Sequence, residues 1–201
     1  ENLNRSRRFK MKHVLILAGL IGGVFFPGCT RNENPNAVTE NRGENAFTAV
    51  ADLQAKSGSK VSGTVAFNLK PEGLVVTARV ENATPGKHGF HIHEKGDCSA
   101  ADGSSAGGHY NPTDKSHGGP SAASHHVGDM GNITVNADGT GSLKETLKTE
   151  NFSDWEDLIG RAVVLHGGTD DLVSQPSGNA GDRVACGVIQ KGPLETSNAS
   201  E

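Results

Sequence analysis

Two histidines in the segment H-G-F-H-I-H, residues 88–93, have a spacing that suits metal binding. Successive side chains of a β-strand point to opposite faces, and each residue advances the chain by about 3.3 Å. His91 and His93 therefore share one face, with about 6 to 7 Å between their backbone positions, while Phe90 and Ile92 share the other. Two imidazoles at this distance can bind one metal ion, but two unrelated surface histidines would have the same pattern. The rest of the chain has to decide between these interpretations.

More side chains of metal-ligating types follow, mostly in a Gly- and Ser-rich segment without apolar periodicity. They are His109, His117, His125, His126, Asp129 and, at the end of the strand-like run R-A-V-V-L-H, His166. A disordered loop has no need of histidine, so this concentration indicates a built metal site. Nitrogen and oxygen ligands without cysteine suit zinc or another borderline divalent ion.

Short alternating segments separated by polar turns predict the strands that position these residues. The predicted strands are 47–53, 61–69, 74–80, the run ending at His93, 132–136, 141–147, 161–166 and 183–190. Two long segments, 94–131 and 167–182, break this rhythm, and such loops in a compact domain are usually functional. With 27 glycines, one Trp and one Tyr, the chain is predicted to be all-β. We expect a Greek-key β-barrel or sandwich of about eight antiparallel strands with two long functional loops.

The first 28 residues have the pattern of an export signal. A basic region begins at Met11, a candidate start of the chain, and the apolar stretch 14–26 is shorter than the roughly 20 residues that span a membrane. It ends at F-P-G-C, which resembles the lipobox of bacterial lipoproteins, whose cysteine, here Cys29, is acylated. Simple secretion and an uncleaved anchor are the alternatives. The predicted organisation is a signal peptide with an N-terminal extension at 1–28, a flexible tether at 29–45, a folded domain at 46–191 and a polar tail at 192–201.

Charge and cysteine content narrow the class of protein further. Residues 29–201 carry 14 basic and 22 acidic side chains, a net charge of −8. They have no basic patch of the kind that binds nucleic acid, and an anionic substrate would need local guidance. With Cys29 at the signal boundary, Cys98 and Cys186 remain as a pair. Export to an oxidising compartment predicts a disulfide between them.

Together these segments resemble the copper–zinc superoxide dismutase family, in its bacterial exported form. The motifs that carry the resemblance are G-F-H-I-H-E, G-G-H-Y-N-P, H-G-G-P, H-V-G-D-M-G-N and G-N-A-G-D-R-V-A-C-G-V-I. They occur in the family's order and at spacings near the family's, over about residues 47–190. The combination of five motifs is highly specific.

The resemblance implies a role for each residue of the constellation. It implies copper ligands at His91, His93, His109 and His166, and zinc ligands at His109, His117, His126 and Asp129. His109 would bridge the two metals, and the motif H-V-G-D selects His126 instead of His125. Asp170 matches the family's carboxylate that links a copper histidine to a zinc histidine, and Arg183 matches the arginine beside the copper. Carboxylates of this kind fix the tautomer and orientation of a ligating ring.

The activity implied by the resemblance is the conversion of superoxide to dioxygen and hydrogen peroxide. Copper would change oxidation state, which zinc cannot do, and zinc would be structural. His109 would donate a proton to the departing peroxide, and Arg183 would orient the anion. The second loop departs from many animal-type relatives, because it is short and lacks their charged cluster of Glu and Lys. Arg183 is the guiding charge that clearly remains.

Two other functions would use similar residues. A non-catalytic, lipid-tethered copper/zinc-binding protein would have the same ligands, but storage needs no substrate arginine such as Arg183. A two-metal hydrolase is the third alternative, although such sites usually bridge their metals with carboxylates or hydroxide. The expected location is the cell envelope or periplasm, with membrane contact only through the lipid anchor. The sequence is compatible with a monomer or a homodimer.

Overall fold

The computed structural model describes residues 48–148, 152 and 154–193. The predicted signal peptide and tether, Cys29, and most of the predicted tail lie outside the described residues, as do residues 46 and 47 of the predicted domain. Within the part of the chain that is described, no helix is long and apolar enough to cross a membrane.

The described residues form nine β-strands and a few short helical turns. The strands are β1 (Thr48–Ala55), β2 (Ser62–Lys70), β3 (Gly73–Glu81), β4 (Gly86–His93), β5 (Asp129–Val135), β6 (Gly141–Leu147), β7 (Ala162–His166), β8 (Arg183–Val188) and β9 (Gln190–Lys191). One 3-10 turn, Ser104–Ala106, lies between β4 and β5, and another, Trp155–Leu158, precedes β7. We call the segment 94–128 the first loop and the segment 167–182 the second loop.

Eight of these strands close into an antiparallel barrel. Their order is β1-β2-β3-β6-β5-β4-β7-β8, and β8 pairs with β1 to complete the circle. Strand β9 lies outside this circle and pairs with β1. Closure removes the free strand edges that an open sheet would expose. The predicted all-β barrel of about eight antiparallel strands with two long loops is confirmed.

Alternation along the strands builds the core of the barrel. In β1, Ala49, Ala51 and Leu53 are each no more than 3% exposed, while Val50 and Asp52 between them face solvent. The largest fully buried apolar side chains include Phe67, Leu74, Phe90, Ile92, Ile133 and Leu165. Burying a side chain of this size stabilises the fold by about 1.5 to 3 kcal/mol relative to leaving it exposed.

Strand β4 has the two faces that the sequence predicts. Phe90 and Ile92 belong to the hydrophobic core, so His91 and His93 point to the outer face of the barrel. Both histidines are nevertheless buried, at 0% and 1% exposure. The two loops cover this face, since the second loop contacts His91 and the first loop contacts His93.

The structure corrects two predicted strand boundaries. β5 begins at Asp129, three residues before the predicted start, because Asp129 pairs with His91 beyond an irregularity in the register between Gly89 and His91. The predicted strand 183–190 is interrupted at Ile189, whose N–H donates to the carbonyl of Arg161 at 2.8 Å. The two residues that follow therefore pair with β1 as a separate strand.

Candidate metal centre

Two adjoining groups of metal-ligating side chains lie on the outer face of the barrel beneath the loops. The four-histidine group consists of His91, His93, His109 and His166. The Asp129 group consists of His109, His117, His126 and Asp129. In each group, one potential ligand atom per residue lies within 4.8 Å of the others, and every member is buried. His109 belongs to both groups.

Paired strands hold three members of the four-histidine group. The antiparallel register of β4 and β7 places Phe90 opposite Leu165, and this brings His166, at the end of β7, beside the histidines of β4. His109 reaches the group from the first loop, where it forms an isolated bridge with His93. The ring centroid of His109 lies 4.0 Å from that of His91 and 5.1 Å from that of His93.

Hydrogen bonds at one ring nitrogen orient the strand-borne histidines. Nδ1 of His93 donates to the carbonyl of Gly107 at 2.9 Å, and Nδ1 of His166 donates to that of Gly181 at 3.2 Å. Nε2 of His91 donates to Oδ2 of Asp170 at 2.8 Å. Because these oxygens only accept, the proton of each neutral ring lies on the bonded nitrogen. The other nitrogen therefore carries a free lone pair.

These free nitrogens face one another in a way that fits a copper ion. Nδ1 of His91 and Nε2 of His109 are buried without a hydrogen-bond partner. Nε2 of His93 and Nε2 of His166 lie only 3.4 Å apart. A buried polar atom without a partner costs free energy unless something binds it. Imidazole nitrogens are suitable copper ligands, so the residues present fit this metal.

The Asp129 group brings three Nδ1 atoms to one carboxylate. Oδ1 of Asp129 lies 2.8 Å from Nδ1 of His109 and 3.3 Å from Nδ1 of His126. Oδ2 lies 3.0 Å from Nδ1 of His117. The backbone N–H groups of Gly118 and His126 also donate to Oδ2, at 3.1 and 2.8 Å, and hold the carboxylate in place. Three imidazoles and one carboxylate fit the four-coordinate sites that zinc prefers.

Burial and hydrogen bonding set the protonation states that metal binding requires. Burial lowers the pKa values of His91 and His93 well below the ordinary value for histidine. It also lowers the pKa of His166, to about 4. For Asp129, burial alone would raise the pKa. The hydrogen bonds from His109 and from the two backbone N–H groups outweigh burial and hold this pKa below its ordinary value. At neutral pH the three imidazoles are neutral and the carboxylate is ionised, which are the metal-binding forms.

One carboxylate connects the two groups. Oδ2 of Asp170 accepts from Nε2 of His91 at 2.8 Å, and Oδ1 accepts from Nε2 of His117 at 2.9 Å. The side chain of Asn132 fixes the backbone of Asp170 through two hydrogen bonds, both 2.9 Å long. Asp170 is 2% exposed, so water does not compete for these contacts. It therefore orients one ring of each group.

Arg183 borders a cavity of about 380 Å³ that opens onto the four-histidine group. Its guanidinium donates to the carbonyls of Gly103 and Gly107, at 2.7 and 2.6 Å, so the first loop fixes its position. Partial burial lowers the pKa of Arg183, but a guanidinium stays charged at neutral pH. Among the described residues that line the cavity, it carries the one permanent positive charge; Asn111 and Ser177 contribute neutral polar groups to the lining.

A disulfide ties the first loop to β8. Cys98 and Cys186 are joined, with their Cα atoms 5.8 Å apart. Cys186 lies three residues after Arg183 in the chain, and Cys98 precedes the two glycines whose carbonyls hold the guanidinium. The disulfide therefore anchors both the arginine's strand and the segment that orients it.

Sequence reasoning missed several groups that support the centre. They are the carbonyls of Gly103, Gly107 and Gly181 and the side chains of Asn132 and Gln175. Every residue has a carbonyl, so no residue type signals these contacts. Asn132 ends the motif H-V-G-D-M-G-N and could have been found there, whereas Gln175 belongs to no motif. His125 stays outside both groups, and its Nδ1 bonds to the backbone oxygen of His126.

Comparisons with known proteins agree with this geometry. The chain matches the family described as "Copper/zinc superoxide dismutase (SODC)" over residues 61–189. It is 39% identical over 151 residues to the extracellular superoxide dismutase (Cu-Zn) of Brugia pahangi, a match that covers 71% of this chain and 75% of the relative. A solved structure described as "Crystal Structure Analysis of the clock protein EA4" shares 36% identity and a TM-score of 0.65, over 73% of this chain and 96% of that one. The chain belongs to the copper/zinc superoxide dismutase family.

Proposed function

We propose that the protein converts superoxide to dioxygen and hydrogen peroxide, with copper at the four-histidine group and zinc at the Asp129 group. The observation that carries this proposal is the position of His109. Its Nδ1 lies 2.8 Å from Oδ1 of Asp129. Its Nε2 is buried without a hydrogen-bond partner, on the side of the four-histidine group. One imidazole thus presents a nitrogen to each group, as a ligand shared by two metals must.

Arg183 binds and orients the substrate in this proposal. Copper, when bound, supplies the one-electron redox chemistry of the reaction, which zinc as a d¹⁰ ion does not. The guanidinium provides a fixed positive charge at the cavity that opens onto the four-histidine group. Because two backbone carbonyls already hold it, binding a small anion costs little side-chain ordering. The walls of the cavity limit which anions reach the centre.

His109 is suited to deliver a proton. Its Nε2 can hold a proton on the side of the four-histidine group while its Nδ1 remains at Asp129. The ring therefore keeps its position in both protonation states. A general acid acts best when it is already within hydrogen-bond reach of the atom that it protonates, and His109 lines the cavity in which peroxide would form.

A non-catalytic copper/zinc-binding protein is the second candidate, since it would use the same two groups. The fixed side chain of Arg183 and the cavity that opens onto the four-histidine group favour catalysis. A storage protein would gain nothing from a cavity that leads an anion to its metal beside a guanidinium. The test is to measure copper and zinc content and superoxide consumption by pulse radiolysis on the same purified sample. We expect one copper and one zinc per chain with rapid consumption. Full copper and zinc content without superoxide consumption would favour the non-catalytic metal-binding protein.

We also propose that the chain is exported and held at the cell envelope by a lipid on Cys29. The signal-like segment 1–28 and the motif F-P-G-C support this proposal. The Cys98–Cys186 disulfide and the likeness to a protein named extracellular favour an oxidising compartment. Residues 29–45 would then be a tether, 46–191 the enzyme domain and 192–201 a polar tail.

Fractionation of a bacterial host tests the lipid anchor. The full chain should appear in the membrane fraction and incorporate labelled palmitate, while Cys29→Ser should incorporate none. Recovery of the parent protein in the soluble periplasmic fraction without label would show simple secretion instead. Superoxide consumption by the purified domain would be unaffected by either result.

A further inference from the structure

Gln175 joins the second loop to the Asp129 group through a pair of side-chain hydrogen bonds. The backbone N–H of His117 donates to Oε1 of Gln175 at 2.8 Å, and Nε2 of Gln175 donates to the carbonyl of His117 at 2.9 Å. Nε2 also donates to the carbonyl of Val173 at 3.1 Å. One amide thus satisfies both backbone groups of a residue, as a paired β-strand would.

The residues that follow Gln175 form part of the cavity wall. Pro176 and Ser177 line the cavity that also contains Arg183. Gly178 then packs against the metal centre so closely that a Cβ at this position would overlap the carboxylate of Asp170 and lie 2.7 Å from Nε2 of His117. The wall is therefore held at both ends: at Gln175 by hydrogen bonds to His117, and at Gly178 by packing against Asp170 and His117.

The anchor of this wall is itself well fixed. His117 is buried, at 4% exposure, and its two ring nitrogens lie 3.0 Å from Asp129 and 2.9 Å from Asp170. Gln175, by contrast, is an exposed residue, so few packing contacts would replace its hydrogen bonds. The amide thus holds the Gln175 end of the wall, while the Gly178 end is held by packing and by its N–H, which donates to the carbonyl of Ser174 at 2.7 Å.

We propose that Gln175 is a positioning residue that sets the anion affinity of the cavity by clamping its Pro176–Ser177 wall to the backbone of His117. This inference rests on the proposed function, because it takes the cavity to be the path of superoxide to copper. With the clamp formed, the wall limits water around an anion bound at Arg183, and the attraction between the two charges is stronger in that environment. Without the clamp, the wall moves outward and the anion is better solvated and less tightly bound.

The test compares Gln175→Met, which keeps side-chain length but lacks the amide, with Ser174→Ala as the matched control. Ser174 accepts a hydrogen bond from Asn179 within the second loop, so the control disturbs the loop but not the clamp. Azide binding to the copper- and zinc-loaded proteins is followed by absorbance titration. Hydrogen exchange of the His117 amide is measured by NMR on the zinc-only proteins, which are diamagnetic.

We expect Gln175→Met to raise the Kd for azide by about three- to tenfold, the effect of losing ordinary hydrogen bonds, at unchanged metal content. Its His117 amide should exchange faster than in the parent, and Ser174→Ala should match the parent in both measurements. Equal azide affinity in parent and Gln175→Met, or an unchanged exchange rate at His117, would overturn the inference. A parent protein that binds azide but consumes no superoxide would defeat the proposed function alone, since the azide comparison still tests the clamp.

Discussion

The two halves of the metal centre are built from different kinds of structure. In the four-histidine group, His91, His93 and His166 lie on β4 and β7, which pair directly over four residue pairs. In the Asp129 group, His109, His117 and His126 come from the first loop, and only Asp129 belongs to a strand. The first half is positioned by the hydrogen-bond ladder of the barrel, and the second by contacts that the loop makes with itself, with Asp170 and with Gln175.

This difference indicates which half depends more on its surroundings. Paired central strands open only with much of the fold, whereas loops open locally at lower free-energy cost. We therefore expect the four-histidine geometry to survive changes that disturb the Asp129 group. Copper would be bound mainly by histidines on rigid strands, whereas zinc would stabilise the first loop, which forms one side of the site.

The largest effect is expected from removing a strand-borne ligand. His93→Ala should lose copper and reduce superoxide consumption by more than about a hundredfold, since even residues that only orient ligands contribute 10- to 100-fold. The fold and zinc content should be retained, because His93 lies on the outer face of the barrel and outside the Asp129 group. Metal analysis, circular dichroism and pulse radiolysis make the measurement. His125→Ala is the control, with both metals kept; comparable activity in His93→Ala would contradict the ligand assignment.

Asp170→Asn tests the asymmetry directly, because Asp170 contacts one ring of each half. We expect zinc affinity to fall by about 10- to 100-fold and copper affinity to fall less, since β4 continues to hold His91. Competition with a chelator of known affinity measures both. The matched control is Asp171→Asn, whose carboxylate accepts bonds only from Val173, Ser174 and Asn179 within the second loop. A greater loss of copper than of zinc would break the comparison between the halves.

Arg183 should affect substrate capture without affecting either half of the centre. Arg183→Ala should keep both metals, lower the superoxide rate constant by about tenfold and weaken azide binding, because the fixed charge beside the cavity is gone. Arg183→Lys should lower the rate constant and azide affinity less, since lysine keeps the positive charge and lacks only the planar guanidinium. Pulse radiolysis measures the superoxide rate constants of the parent and both variants. Parent-like rates in both variants would remove Arg183 from the mechanism.

The smallest effect concerns ionic strength. Exposed charges are screened beyond about 8 to 10 Å at physiological salt, and residues 29–201 carry a net charge of −8. If attraction by Arg183 and the metals outweighs this background, added salt should slow the reaction, with a shallow slope because Arg183 is the one permanent cation among the described cavity residues. Arg183→Ala should lose or reverse the slope. Equal, steep slopes in parent and variant would show that other basic residues guide the anion.

Local sequence patterns predicted much of the barrel and of the centre. The alternation Phe90, His91, Ile92, His93 placed two side chains in the core and two outside it, as the structure shows. The start of β5 was predicted too late, because the glycines around Asp129 hide a strand that the pairing with His91 stabilises. The break at Ile189 was missed, because its hydrogen bond to Arg161 is a contact between residues far apart in the chain.

The sequence by itself determined the residue types, the strand periodicity and hence the presence of two histidines on one outward face of β4. Periodicity is a local property, since it follows from the geometry of successive peptide units. The resemblance to the family implied that Asp170 links the two groups. Only the tertiary structure decided that the two loops cover this face and that Gln175 bonds to both backbone groups of His117. The contacts of Asp170 and Gln175 with histidines of the two groups join residues 53 positions apart or more, and the partners are often backbone groups, which every residue type carries. No local pattern specifies such a contact, because it forms only once the barrel has closed and the loops have packed against it.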